Sequence, residues 1–111
     1  MNWISLNDLH QIDEIRELSK TRPQLIFKHS TRCSVSSMAK NRLERSVQPE
    51  QADFYFLDLI KFRALSDKVA SDFDVYHESP QVILIRNNEC VYEESHNGIN
   101  MDDIEMQVNL S

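Results

Sequence analysis

The stretch Phe27-Lys28-His29-Ser30-Thr31-Arg32-Cys33-Ser34-Val35-Ser36 decides the reading of this chain. It joins an apolar run, Leu25-Ile26-Phe27, to an amphipathic run that begins at Val35. Such a junction reads as a strand, a tight turn and the first turn of a helix, with a thiol where the helix begins. Backbone N–H groups at a helix N-terminus lack intrahelical partners and favour negative charge, so Cys33 stands where thiolate is favoured over thiol. Lys28, Arg32 and Lys40 are close in sequence and add positive charge to that expectation. Ser36 occupies the position at which a C-x-x-C dithiol carries its second cysteine, so this motif offers one nucleophile and one hydroxyl.

Composition limits what can surround this junction. A chain of 111 residues suits one small domain, expected over residues 1–111, and a hydrophobic share of 41% supports a core. The formal net charge of -6 and the lack of a Lys/Arg cluster argue against nucleic acid as a partner. No apolar run approaches the ~18 residues of a membrane span, and Met1-Asn2-Trp3-Ile4-Ser5 has no basic-then-apolar pattern of a secretory signal. Two cysteines, 57 positions apart, do not make a disulfide framework, so a reduced, cytoplasmic setting is expected.

Outward from the junction, the chain alternates strand and helix patterns. Trp3-Ile4 reads as a short opening strand, and Ser5 with Asp8 as a variant capping box. Leu9, Ile12, Ile15 and Leu18 predict a helix to about Lys20, ended by Pro23. Gln24 to His29 is a buried strand. Val35, Ala39, Leu43 and Val47, with Met38 beside them, predict a second helix closed by Pro49. Phe54 to Leu59 is another buried strand, and Ala64, Leu65, Val69 and Phe73 give a third helix face. Gln81 to Arg86 and Glu89 to Glu94 form a hairpin around Asn87-Asn88, since Asn tolerates positive φ. Gly98, the one glycine, is expected in a turn that other residues fit poorly. Asn100 with Asp103 reads as an N-cap of a last helix bearing Met101, Ile104 and Val108.

The strand–helix–strand unit from Gln24 to Leu59 requires a parallel pair, and the hairpin adds antiparallel strands. The fold class is therefore α/β, a mixed sheet of four or five strands with helices on both faces. With a reactive cysteine after the first core strand and Pro80 before the third, the arrangement is thioredoxin-like. In such folds the proline is cis and faces the cysteine. It lacks an N–H, and the residue before it, here Ser79, presents free backbone groups to an incoming chain.

These features carry a family resemblance over nearly the whole length. Phe27-Lys28-His29-Ser30 before Cys33, Cys33-x-x-Ser36, His77-Glu78-Ser79-Pro80-Gln81, and Ser95-His96 with Ile99 resemble the monothiol, C-type bacilliredoxins, a general stress protein family. The resemblance implies removal of the small thiol bacillithiol from mixed disulfides on S-thiolated client proteins. Bacillithiol would be a co-substrate, and no bound cofactor is implied. Cys33 would be catalytic, with Thr31, Arg32, Ser34, Ser36, Ser79 and Pro80 as binding or activating residues. Ser34 departs from the pattern, because many members carry proline directly after the cysteine. His77 and His96 carry resemblance without a derived role.

Several residues keep two readings. Ser36 either caps or solvates the first helical turn or donates to the Cys33 thiolate. His29 either packs at the end of its strand or tunes the thiol. Lys28 or Arg32 offers charge to an anionic small thiol. Cys90 is read as structural. About six strand residues at ~3.3 Å each set it roughly 20 Å from the Pro80 end, beyond the ~7 Å that a disulfide spans. No C-x-x-C or H-x-x-x-H spacing suggests a metal. Two other functions fit less of the pattern. A thiol sensor or binding module of the same fold would exchange slowly at Cys33. A peroxidase-like protein would use Ser30-x-x-Cys33 but lacks the upstream proline, with Ile26 standing there.

Overall fold

A computed structural model describes residues 1–110; Ser111 lies outside the described residues. The chain runs β1 (Trp3–Ser5), α1 (His10–Leu18), β2 (Gln24–His29), α2 (Ser34–Glu44), β3 (Asp53–Asp58), α3 (Arg63–Asp72), β4 (Gln81–Arg86), β5 (Glu89–Ser95), a 3-10 turn (His96–Gly98) and α4 (Met101–Val108). The sheet order is β1-β3-β2-β4-β5. β1, β3 and β2 are parallel, and β4 and β5 are antiparallel additions. This is the mixed sheet expected from the sequence, with five strands.

β2 lies between β3 and β4, and all six of its residues are buried. Its alternation divides the core. Leu25 and Phe27 pack with Ala39 and Leu43 of α2 and Ile104 of α4. Ile26 packs with Ile12 and Ile15 of α1 and Leu65 and Val69 of α3. Helices therefore cover both faces.

The helix faces differ in detail from the expected ones. Ser5 ends β1 instead of capping α1, and the Asp8 carboxylate accepts the His10 N–H at 2.8 Å. Leu9 and Leu18 are exposed, leaving Ile12 and Ile15 to anchor α1, which ends at Leu18. On α2 the buried residues are Ser36, Ala39 and Leu43. A strict four-residue spacing drifts about 40° per step from a face of 3.6 residues per turn. Val47 thus falls off the stripe, and the helix stops at Glu44. Val47 and Met38 are exposed. On α3, Ser66 is buried and Ala64 is not.

The turns hold more closely to expectation. Asn87 and Asn88 both have positive φ, 52° and 65°, as a two-residue hairpin turn requires. Asn100 caps α4 by accepting the Asp103 N–H at 2.9 Å. The Ser79–Pro80 bond is cis. Gly98 meets a different constraint from the backbone freedom that its uniqueness suggests. In its turn the positive φ belongs to His96. A Cβ on Gly98 would lie 2.6 Å from Cδ of Glu94, so a side chain there requires the flexible Glu94 carboxylate to move aside.

Candidate active site

One end of the sheet gathers the chemistry. The register pairs His29 of β2 with Asp58 of β3, Lys28 with Gln81 of β4, and Gln81 with Ser95 of β5. Three connections meet at that end: the Ser30–Cys33 turn after β2, the Ser79–Pro80 bond before β4, and the His96–Gly98 turn after β5. One step further along the β2–β4 register sets Pro80 opposite His29. The Pro80 carbonyl accepts the His96 N–H at 3.1 Å, and Arg42 of α2 donates to the carbonyls of His96 and Ile99. These bonds tie the proline, the turn and α2 together.

Cys33 is the N-cap residue of α2, with extended backbone (φ -119°, ψ 121°), and is half-buried. Its N–H donates to the Ser30 carbonyl at 3.2 Å, and its own carbonyl accepts the Ser37 N–H at 3.1 Å. No side chain caps this helix. The unpaired N–H groups of its first turn are therefore left beside the residue that bears the thiol. Thr31, Arg32 and Ser34 surround it and are exposed. Ser79 is half-buried, and its Oγ is buried without a hydrogen-bond partner.

Ser36 is fully buried, which removes solvation of the first turn as its role. Its Oγ accepts the Ser30 N–H at 3.0 Å and lies 2.7 Å from His29 Nδ1. Burial, and then the Lys40 cation, hold His29 below its ordinary value of 6.5, so the ring is neutral at pH 7. His29 also packs against Phe27 and Phe56.

Lys28 departs from its expected place. It is fully buried on the α1/α3 side of β2, the face opposite α2, and is not a surface cation for an anionic thiol. Its Nζ donates to the Ser66 carbonyl and to His77 Nδ1, each at 3.2 Å. Burial lowers its pKa to about 8, with Asp67 opposing and Arg63 adding. His77 is held below 6.5 by burial, then by Lys28 and Arg63. Lys40 is ion-paired to Glu44 at 3.3 Å and lies over the Phe56 ring.

Cys90 pairs with Ile85, which in turn faces the neighbourhood of Gln24, at the opposite end of the sheet. Both cysteines are free. Burial pushes the Cys90 thiol up from its ordinary value, which disfavours the nucleophilic form. Among the described residues no group of three or more His, Cys, Asp and Glu is placed to hold a metal ion, and no helix is long and apolar enough to cross a membrane. The sequence reading missed the Lys28–His77 and His29–Ser36 pairs. A charged residue at an inward position of an otherwise apolar strand was the available signal for Lys28.

Solved structures similar to this chain include an oxidoreductase and thioredoxins. One described as an oxidoreductase with a thioredoxin fold is 29% identical, with a TM-score of 0.80, over 93% of this chain and 90% of that one. Thioredoxin from Malassezia sympodialis is 13% identical, with a TM-score of 0.72, over 96% and 88%. Mitochondrial thioredoxin 3 from Saccharomyces cerevisiae is 19% identical, with a TM-score of 0.66, over 96% and 92%. The fold is thus that of thioredoxin, and the chemistry is thiol redox. Residues 4–104, which include the Cys33 junction, the Ser79–Pro80 bond and the His96 turn, match the family described as monothiol bacilliredoxin BrxC, and the chain belongs to that family.

Proposed function

We propose that the protein is a monothiol thiol–disulfide oxidoreductase that removes bacillithiol, or a closely similar small thiol, from client proteins. The observation that carries this reading is the single thiol at the junction. Cys33 stands at the N-cap position of α2, Ser36 takes the resolving position, and Cys90 lies at the other end of the sheet.

The Cys33 thiolate attacks the small-thiol sulfur of a client mixed disulfide. A new S–S bond forms between Cys33 and the small thiol as the client S–S bond breaks, and the client sulfur leaves as thiolate. A second small-thiol thiolate then attacks the mixed disulfide on Cys33. It releases a symmetrical small disulfide and restores the Cys33 thiolate. Ser79 would receive the client chain as a short added strand. Exposed Thr31, Arg32 and Ser34 would border the small thiol. This cycle needs free reduced thiols and so suits a reducing compartment such as the cytoplasm.

The test is intact mass after exposure to oxidised bacillithiol, oxidised glutathione and coenzyme A disulfide, followed by reaction with a bacillithiol-bearing client protein. One bacillithiol on Cys33 and its loss from the client are expected. No adduct on Cys33, or preferential loading by another of the three thiols, rejects the respective part of the reading.

A further inference from the structure

We propose that Lys28 is a positioning residue for protein substrates: through His77 it holds the segment that ends in the Ser79–Pro80 docking edge. The inference rests on the proposed exchange reaction. Its structural part stands independently.

The segment between α3 and β4 runs over the α1/α3 side of the sheet end; Phe73 and Val75 anchor its start in the core, and Glu78 lies 3.6 Å from His96. Three of its successive residues are held by one rung of the sheet. Lys28 and Gln81 are direct partners across β2 and β4, so their side chains share a face. Gln81 Nε2 donates to the Tyr76 carbonyl at 2.9 Å, and Gln81 Oε1 accepts the Glu78 N–H at 3.3 Å. Lys28 Nζ donates to the ring of His77 between them, at 3.2 Å, and to Ser66 of α3 at 3.2 Å. Tyr76 itself contributes no packing, being 92% exposed. Ser79 follows directly, and Pro80 enters β4.

Burying a lysine is costly, and an apolar residue would fill the same space among Ile26, Leu57 and Ile83 without that cost. An apolar residue would not reach an acceptor on the loop. The charged groups facing this pair are Asp67 and Arg63 of α3 and Glu78 of the loop. The reacting thiol lies on the other side of the sheet end, at the start of α2. Loosening the segment therefore acts on chain docking and not on the sulfur chemistry.

The experiment compares two substrates and one structural readout. Steady-state kinetics are measured with a bacillithiol-bearing client protein. Second-order rates are measured with oxidised bacillithiol, which has no chain to dock. Amide hydrogen exchange of residues 75–79 is followed in each variant. His77→Leu should raise KM for the protein about tenfold, leave kcat and the small-disulfide rate within about twofold, and speed exchange of the segment. His77→Gln, which keeps an acceptor for Lys28, should restore KM to within about threefold of the parent protein. Lys28→Met should match His77→Leu.

Equal loss on both substrates, unchanged exchange in His77→Leu, or no rescue by His77→Gln overturns the proposal. If Lys28→Met does not fold, the two His77 variants decide alone. If the unaltered protein does not act on the client, the exchange reaction fails, and hydrogen exchange still decides whether the clamp exists.

Discussion

The Ser36 hydroxyl accepts the Ser30 N–H at 3.0 Å and lies 2.7 Å from Nδ1 of His29, so one side chain ties the end of β2, the turn and the first turn of α2. All three residues are buried. Ser36→Ala leaves the Ser30 N–H and the His29 nitrogen without a partner. Stability should fall by about 1–3 kcal/mol, the cost of unpaired buried polar groups. Urea unfolding at neutral pH measures this, and a loss below about 0.5 kcal/mol excludes the network.

Two histidines set an acid limb. His29 and His77 are both held below 6.5, first by burial. The unfolded chain then binds protons that the folded chain refuses, so stability is full above about 6.5 and falls as pH drops toward the folded values. Proton NMR titration of the two rings should give midpoints below the free-histidine value. Midpoints at or above it contradict their burial in neutral form.

Cys33 and Cys90 should separate completely in function. The two lie at opposite ends of the sheet, and the Cys90 thiol is raised by burial. Cys33→Ser should stop release of bacillithiol from a client, followed by mass spectrometry. Cys90→Ser should leave the initial rate nearly unchanged. An internal Cys33–Cys90 disulfide as main product would overturn the monothiol mechanism.

Legibility in the sequence follows how local each determinant is. The Asn87-Asn88 turn, the Asn100 cap and the strand runs are short patterns whose physics is self-contained, and they appear where expected. The junction at Cys33 is equally local. Helix faces depend on what the sheet offers, so Leu9, Leu18 and Val47 look like core residues and stand in solvent. The site's polar wiring is less legible still. Lys28 reads as a surface cation near Cys33, yet β2 alternation turns it to the far face, where its partners come from positions 66 and 77. Ser36 reads as half of a redox motif, yet its partner is a strand residue seven positions earlier. Gly98 is a clear exception in composition, but its neighbour, the Glu94 side chain, appears only in three dimensions.

Ser36→Cys should convert the protein to a dithiol form. Residues three apart at a helix start have Cα atoms roughly 5–6 Å apart, within the range of a disulfide. The new thiol can attack the mixed disulfide on Cys33, release the small thiol and leave an internal bridge. Non-reducing mass spectrometry should therefore show loss of the adduct and of two hydrogens. A variant that stays loaded on Cys33 means that the His29 pocket holds the residue-36 side chain away from the sulfur.

Lys28 gives the alkaline counterpart. Its folded pKa is lowered from 10.5 to about 8, first by burial, with Asp67 opposing. Below about 8 both states carry the charge, and the folded state bears the full cost of burying it. Between about 8 and 10.5 the unfolded chain keeps a proton that the folded chain has lost, so from this group stability rises with pH. Tyr55 acts in the opposite sense. Burial pushes it up to about 12, so above about 10 the unfolded phenol ionises first and stability falls. From about pH 7 to about pH 9.5 the Cys90 thiol, also raised by burial, opposes the lysine, so the comparison with a Lys28 variant isolates it. Urea unfolding of the parent protein and of Lys28→Met across that window should show the parent gaining on the variant as pH rises, with Tyr55 cancelling between them. A constant difference would mean that Lys28 titrates as an exposed amine. The buried clamp on His77 would then be wrong.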